Sequence, residues 1–275
     1  MTEQSDRSKT TSSRVRAISC KDTLHNLLIK DRITSAYLLG NLDENYFSFC
    51  RWWGAYDADN ALESIVMLYT GLRLPAVLTF GDPTGVEDVL DDADVRDALP
   101  AQFYAHVMNG HLAALQHRYD IGQLRSMVRM GLSRNAFVNP GDNLSAVEAI
   151  GHAHTASLIS LYQFYPDNFF EPYQLESGFY FGLSDSNDLV SVAGTHIFSE
   201  KYDIAAIGNI VTHPEHRAKG YSRRCTTRLL EALFAKVSTA ALNVERDNEV
   251  AHRIYRRLGF VDHVRYLEGT IRQKS

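Results

Sequence analysis

The sequence predicts a mixed α/β (α+β) fold in two domains, and three observations carry that prediction. Tyr46 to Phe80 is dense in aromatic and β-branched residues and is broken by Gly54, Asp57 to Asn60, Gly71 and Pro75, the pattern of an antiparallel meander. Ile204 to Thr270 alternates strand, helix, strand, helix and strand patterns. Between them, Asn135 to Asn143 gathers Asn139, Pro140, Gly141 and Asp142, the composition of a linker. With 275 residues the chain is long enough for two domains.

Met1 to Arg16 is mostly Ser, Thr, Arg, Lys, Asp and Gln, without an apolar signal core, so residues 1–18 are expected to form a flexible tail on a cytoplasmic protein. Asp22 to Lys30 sets Leu24, Leu27 and Leu28 on one side, a helix. After the meander, Thr84 to Asp97 spaces Val86, Val89, Leu90 and Val95 as one helix capped by Thr84. Gln102 to Val107 reads as a strand, His111 to Arg118 as a helix and Gly122 to Gly131 as a strand, so residues 19–135 form an N-terminal α+β domain. The second domain, 140–275, opens with a helical stripe from Ser145 through Val147, Ile150, His154, Leu158 and Leu161, then a short helix over Phe169 to Leu175. Strands follow at Gly178 to Leu183, Val190 to Phe198 and Ile204 to Thr212.

Composition excludes several classes. Hydrophobic residues are 45% and charged residues 22%, enough to bury a core, so the chain is not disordered throughout. Its longest apolar runs fall far short of the ~20 residues of a membrane span. Three widely spaced cysteines without a CxxC pair point to buried free thiols and neither a disulfide framework nor a metal cluster. His152 and His154 are too close for one helix face, and no metal is expected. From Lys201 onward 14 Lys and Arg face 8 Asp and Glu on a chain of net charge −5, a local excess that suits a small polyanion better than a nucleic-acid track; a solvated basic helix face explains the charge equally well.

The nearly all-apolar strand Ile204 to Thr212 runs into a polar stretch ending Arg217, Ala218, Lys219, Gly220, Tyr221 and Ser222, after which Cys225, Leu229 and Leu233 mark an amphipathic helix. Free N–H groups in the first helical turn, together with the helix dipole, bind a pyrophosphate when no bulky side chain intervenes, and Gly220 and Ser222 keep that approach open. The plain alternative is a strand-to-helix turn with incidental cations. A second strand, Ala240 to Glu245, leads to a cap at Asp247 or Asn248 and to a helix with Val250, Ile254 and Leu258 on one face, stopped by Gly259 before a final strand from Phe260 to Thr270.

These residues form Val-x-x-Pro-x-x-Arg-x-x-Gly-x-Ser at Val211 to Ser222, followed by Asn248, Ala251, Tyr255, Gly259 and Phe260 at fixed spacing. In both halves the sequence resembles the GNAT superfamily of acyl-CoA-dependent N-acyltransferases over about residues 145–272. The resemblance implies the GNAT fold, a mixed, mostly antiparallel central sheet flanked by helices, with acetyl-CoA or another acyl-CoA as co-substrate. It further implies that Ile210, Val211 and Thr212 present backbone groups to the pantetheine arm and acyl carbonyl. Arg217, Ala218, Lys219, Gly220, Tyr221 and Ser222 would hold the pyrophosphate, Asn248 and Ala251 would lie beside the pantetheine, and Tyr255 would act as general acid. Ser222 stands where the family usually has Gly or Ala.

Acyl transfer needs a neutral amine, a polarised thioester carbonyl and a proton for the departing thiolate, and alignment of the partners removes ~7–11 kcal/mol of barrier. Tyr255, beside Val250, Ile254 and Leu258, is read as core from spacing alone; the resemblance makes it the proton donor. The strand before the loop lacks a carboxylate, which leaves Glu245, His196 or water as the base, against a solvated Glu and a structural His. The N-terminal order of helix, meander, helix, strand, helix and strand is compatible with a degenerate GNAT-like repeat, as in glycine N-acyltransferase-like members. Phe47, Phe49, Trp52, Trp53 and Tyr56 are either core or part of an acceptor pocket. The acceptor is expected to be a small-molecule amine or amino acid ahead of a protein, with no nucleic-acid or membrane partner. The alternative function is a non-catalytic acyl-CoA-binding sensor or assembly module of the same fold.

Overall fold

The computed structural model describes residues 14–166, 168 and 170–274. In chain order the elements are β1 (Arg14–Ala17), α1 (Lys21–Leu28), α2 (Ala36–Gly40), α3 (Glu44–Phe47), β2 (Cys50–Tyr56), β3 (Leu62–Tyr69), β4 (Ala76–Gly81), α4 (Pro83–Asp91), α5 (Ala93–Ala98), β5 (Gln102–Met108), α6 (Leu112–Gln116), β6 (Tyr119–Asp120) and β7 (Arg125–Ser133). They continue as β8 (Val147–Ala149), α7 (Thr155–Tyr162), β9 (Phe181–Asp185), β10 (Asp188–Ser199), β11 (Ile204–Thr212), α8 (Tyr221–Phe234), β12 (Thr239–Glu245), α9 (Glu249–Arg257) and β13 (Val261–Gln273).

The chain forms two compact units. The first comprises residues 14–27, 49–124 and 269–274, the second residues 28–48 and 125–268. This differs from a boundary at 135–140, and the reason is packing. Val128, Met130 and Leu132 of β7 are buried in the core that also holds Leu229, Leu230 and Phe234 of α8, and residues 127–133 of β7 pair antiparallel with β12. Residues 28–48 join the same unit through Arg32, which donates to the Tyr202 and Asp203 carbonyls at 2.8 and 2.9 Å, and through Asp43, which accepts from Ser199 Oγ at 2.6 Å.

In the first unit the order is β1-β2-β3-β4-β5 and the end of β13, antiparallel through β4 and parallel between β4 and β5. The meander falls where the sequence places it, because its strands are apolar nearly throughout and are buried on both faces, as at Ile65, Val66, Met67, Val77 and Leu78. Most of the expected tail lies outside the described residues, but Arg14–Ala17 is a strand paired to β2. The single helix expected at Thr84 to Asp97 is two, because Asp82 and Asp92 each cap a helix: Asp82 Oδ1 accepts from Thr84 and Gly85 N–H, and Asp92 Oδ1 from Asp94 and Val95 N–H.

In the second unit the order is β8-β9-β10-β11-β12-β7-β13, antiparallel except for β11 with β12. One face carries α8 and α9 over a core of Ala205, Ile207, Leu229, Leu242, Tyr255 and Leu258; a second cluster joins Leu158, Leu161 and Tyr162 of α7 to Val192, Val211 and Tyr180. The helix expected from Ser145 is corrected. Val147–Ala149 is a strand paired to β9, Gly151 is extended, and α7 starts only at Thr155. The apolar spacing 147, 150, 158, 161 is met by a strand followed by a helix as well as by one long helix. The helix expected at Phe169 to Leu175 is instead a 3-10 stretch at Pro172–Ser177. Cys225 is buried, while Cys20 is exposed and Cys50 half-buried, so burial holds for one of the three thiols. No helix among the described residues is long and apolar enough to cross a membrane, and no cluster of metal-ligating side chains occurs among them.

Candidate functional site

β11 pairs in parallel with β12 only over Ala205–Ile207 opposite Ala240–Leu242, then runs on to Thr212 past the last paired residue. The two strands therefore part over the last five residues of β11. At the parting point β11 is irregular: its register to β10 shifts between Val192 and Gly194, and again between Thr195 and Ile197. Asn209 sits in the left-handed region at φ 53. Gly208 lets His196 of β10 lie directly on the strand, since a Cβ there would come within 2.1 Å of His196 Nε2.

The end of β11 is gripped from α7 and the residues after it. Tyr162 Oη donates to the Asn209 carbonyl at 2.9 Å, and Tyr165 Oη donates to the Thr212 carbonyl. Asn209 Nδ2 donates to Gln174 Oε1 at 2.9 Å and to Tyr180 Oη at 2.7 Å, and Tyr180 Oη donates to the Thr195 carbonyl at 3.1 Å. Burial pushes both the Tyr162 and Tyr180 phenols above their usual range, so they stay protonated donors. Asn209 Oδ1 is buried without a partner among the described residues. Ser191 Oγ meets both the Val211 carbonyl, at 3.1 Å, and Thr212 Oγ1, at 2.8 Å.

After Thr212, Pro214–His216 makes a 3-10 turn, Ala218 and Gly220 take left-handed φ of 62 and 76, and α8 begins at Tyr221 with Gly220 as its N-cap. Gly220 supplies no capping side chain, and the N–H groups of Tyr221, Ser222 and Arg223 meet no acceptor among the described residues. A Cβ at Gly220 would find only Arg223 Nη2, at 3.9 Å. This helix end is open and, by its dipole, positive. Arg217 donates to Tyr165 Oη at 2.9 Å, and the Lys219 ammonium lies 5.9 Å from the Tyr221 ring centroid, so both cations stay beside the loop. Arg223 is held away by Asp142, Nε to Oδ2 at 2.7 Å and Nη2 to Oδ1 at 2.6 Å.

Asn248 is the N-cap of α9, its Oδ1 accepting from Ala251 N–H at 3.1 Å. That N–H is thereby occupied, and Ala251 offers only its side chain, which packs on the core. Tyr255 is 8% exposed, edge-on to Phe260 at 5.9 Å between ring centroids, and its hydroxyl has no partner among the described residues. Burial raises its pKa well above the usual phenol range. Ile210, Tyr221, Ala251 and Tyr255 share one apolar cluster, while Val211 turns to the opposite face. Of the base candidates, Glu245 is half-exposed and paired with Arg125 at 3.1 Å, and His196 lies on Gly208 with its ring centroid 6.1 Å from that of Tyr37.

Sequence reasoning missed Tyr162, Gln174, Tyr180, Asn209 and Asp142. A signal existed for Asn209, the one strongly polar side chain in an otherwise apolar strand, where burial demands partners. Gln174 and Tyr180, 35 and 29 positions from Asn209, carry no comparable mark.

Residues 147–260 match the family model described as Acetyltransferase (GNAT) family. No curated protein sequence matches the chain. Among solved structures, an X-ray structure of a Drosophila protein is similar over 96% of this chain and 99% of its own, at 13% identity and TM-score 0.70. A GCN5-related N-acetyltransferase from Kribbella flavida is similar over 89% of this chain and 95% of its own, at 17% identity and TM-score 0.61. A tandem GNAT protein from the clavulanic acid biosynthesis pathway covers 94% of this chain and 98% of its own, at 11% identity and TM-score 0.59. With the parted β11 and β12 and the open start of α8, these likenesses show that the chain has the GNAT fold, the match to the GNAT acetyltransferase family model lying within residues 147–260.

Proposed function

We propose that the protein is an N-acyltransferase that moves an acyl group, acetyl first among the candidates, from acyl-CoA to a primary amine of a small molecule within a ternary complex. The observation that carries this reading is the uncapped N-terminus of α8 at Gly220, directly after the strand end that leaves its neighbour. A pyrophosphate fits the free N–H groups of Tyr221, Ser222 and Arg223, with Arg217 and Lys219 adding charge. The Ser222 side chain is small enough to leave that approach clear. Ile210, Val211 and Thr212 would align the pantetheine, with Asn248 and Ala251 on the other side of the parting strands.

The thioester supplies the activated carbonyl. The amine nitrogen bonds to that carbon as the C–S bond breaks; Tyr255 Oη gives its proton to the leaving thiolate and regains one from solvent, and the amine proton leaves through His196 or through water to solvent. Burial keeps the phenol protonated at neutral pH, and its hydroxyl has no partner among the described residues, so the proton is present and uncommitted.

The first unit repeats the order of the second: antiparallel meander, helix, parallel strand, helix, with three residues of parallel pairing in each. Its helix end differs. Asp82 occupies the N-cap of α4 and takes the first-turn N–H groups, closing to anions the position that Gly220 leaves open. We therefore read the first unit as a GNAT-like repeat without a cofactor site that shapes acceptor choice, a reading supported by the likeness to a tandem GNAT protein along 94% of the chain.

The test is a thermal-shift series with acetyl-CoA and longer acyl-CoAs, paired with thiol release on a library of small amines. Stabilisation by an acyl-CoA with amine-dependent thiol release supports the transferase. Stabilisation with no release from any amine leaves the non-catalytic binder, and absence of stabilisation removes both.

A further inference from the structure

The two faces of α9 do different things. Ala251, Ile254 and Tyr255 pack into the core with Tyr221, whereas Glu249, His252, Arg253 and Arg256 line a groove of about 450 Å³ whose far wall is the start of β13. Arg246 and Arg265 complete its cationic lining, so four guanidiniums face two carboxylates, those of Glu249 and Asp262. Their pairing is loose. Arg256 meets Asp262 at 2.8 Å, Arg253 only approaches Glu249 at 3.6 Å, Arg246 pairs with its own neighbour Asp247, and Arg265 has no ion-pair partner among the described residues.

His252 is the second, independent sign. It is 5% exposed, and its Nε2 lies 3.2 Å from the Glu245 carbonyl, which can only accept, so Nε2 carries a hydrogen. Nδ1 is left buried with no hydrogen bond among the described residues, and Asp262 Oδ1 lies 3.9 Å from it. An unsatisfied buried nitrogen is costly to leave unpaired, and here it belongs to a residue that lines a cationic groove.

We propose that this groove binds a phosphate group carried by a small molecule, at a site separate from the Gly220 loop. Guanidinium forks match a tetrahedral oxyanion and accept it bidentately. Phosphate also suits His252 better than a carboxylate does. With a second pKa near 6 it carries both P–OH and P–O⁻ near neutral pH, and so can donate to a neutral Nδ1 or accept from a protonated one. An ionised carboxylate only accepts and would require the imidazolium. A long polyanion is disfavoured by the groove's size and by the net charge of −5.

The experiment is a ³¹P NMR titration of the full chain with inorganic phosphate, with and without saturating CoA, and a calorimetric comparison with succinate. The expected result is saturable phosphate binding that CoA does not displace. It should weaken at least tenfold in the exposed pair Arg253→Gln with Arg265→Gln and, separately, in His252→Gln, each with an unaltered circular dichroism spectrum. Succinate should bind at least tenfold more weakly than phosphate. The proposal is overturned by displacement with CoA, by equal affinity in the folded variants, by succinate binding as tightly as phosphate, or by binding confined to a polyanion such as heparin.

Discussion

Asp142 holds Arg223 by both carboxylate oxygens, at 2.7 and 2.6 Å, and so fixes the loop before β8 against the first turn of α8. The hydrogen bonds from Arg223 keep the Asp142 carboxyl below its usual value of 3.8. A folded-state value lower than the unfolded one means that the pair stabilises the protein fully above about pH 4, and that this contribution fades as pH falls through the lower folded value. The pair is partly exposed, so Asp142→Asn should cost about 1 kcal/mol, or about 2–4 °C in Tm for a protein of this size. Thermal melts at pH 7 and pH 3 check this: the gap should be present in full at pH 7 and narrower at pH 3.

Asn209 combines a left-handed backbone with two buried hydrogen bonds to Gln174 and Tyr180. Asn209→Ala loses both and forces a Cβ-bearing residue to keep φ 53 without its polar group, at a cost of about 2–3 kcal/mol. Asn209→Gly loses the same bonds but not the backbone comfort. Denaturant titration should therefore rank Gly above Ala in stability, the reverse of the usual order inside a strand.

Tyr255→Phe removes one hydroxyl that has no internal partner, so stability should stay within about 1 kcal/mol. If Tyr255 is the proton donor, kcat should fall by about 10²- to 10⁴-fold with acetyl-CoA affinity kept. Because burial holds the phenol protonated far above neutrality, no basic limb from Tyr255 should appear in the wild-type pH profile below pH 10. An unchanged kcat where chemistry limits turnover would return Tyr255 to the core.

The segment from Ile204 onward was legible because its signals are local. An apolar run of nine residues, a polar loop with one glycine, an amphipathic stripe and an Asn cap define β11, α8 and α9 to within a residue or two. Elsewhere the deciding partners are distant. β7 is assigned to the second unit by strands more than 100 positions along the chain, which no window of sequence contains. The Ser145 stripe failed because Val147–Ala149 is drawn into a strand by β9, a partner more than 30 positions further along the chain. The division of α4 from α5 turned on Asp92, one acid among several that look alike in sequence but the one that takes the first-turn N–H groups of α5. The network around Asn209 stayed hidden for the same reason as β7, its members coming from α7, the 3-10 stretch and Tyr180 just before β9.

The most direct measurement is a calorimetric titration of acetyl-CoA into the wild-type protein and into Gly220→Asp. Aspartate tolerates the left-handed conformation better than most residues, and at that position it would place a carboxylate at the start of α8, as Asp82 does for α4. The account predicts saturable binding to the wild type and a loss of at least tenfold in a variant that remains folded. Equal affinity in the two proteins, or no binding to the wild type, would contradict it.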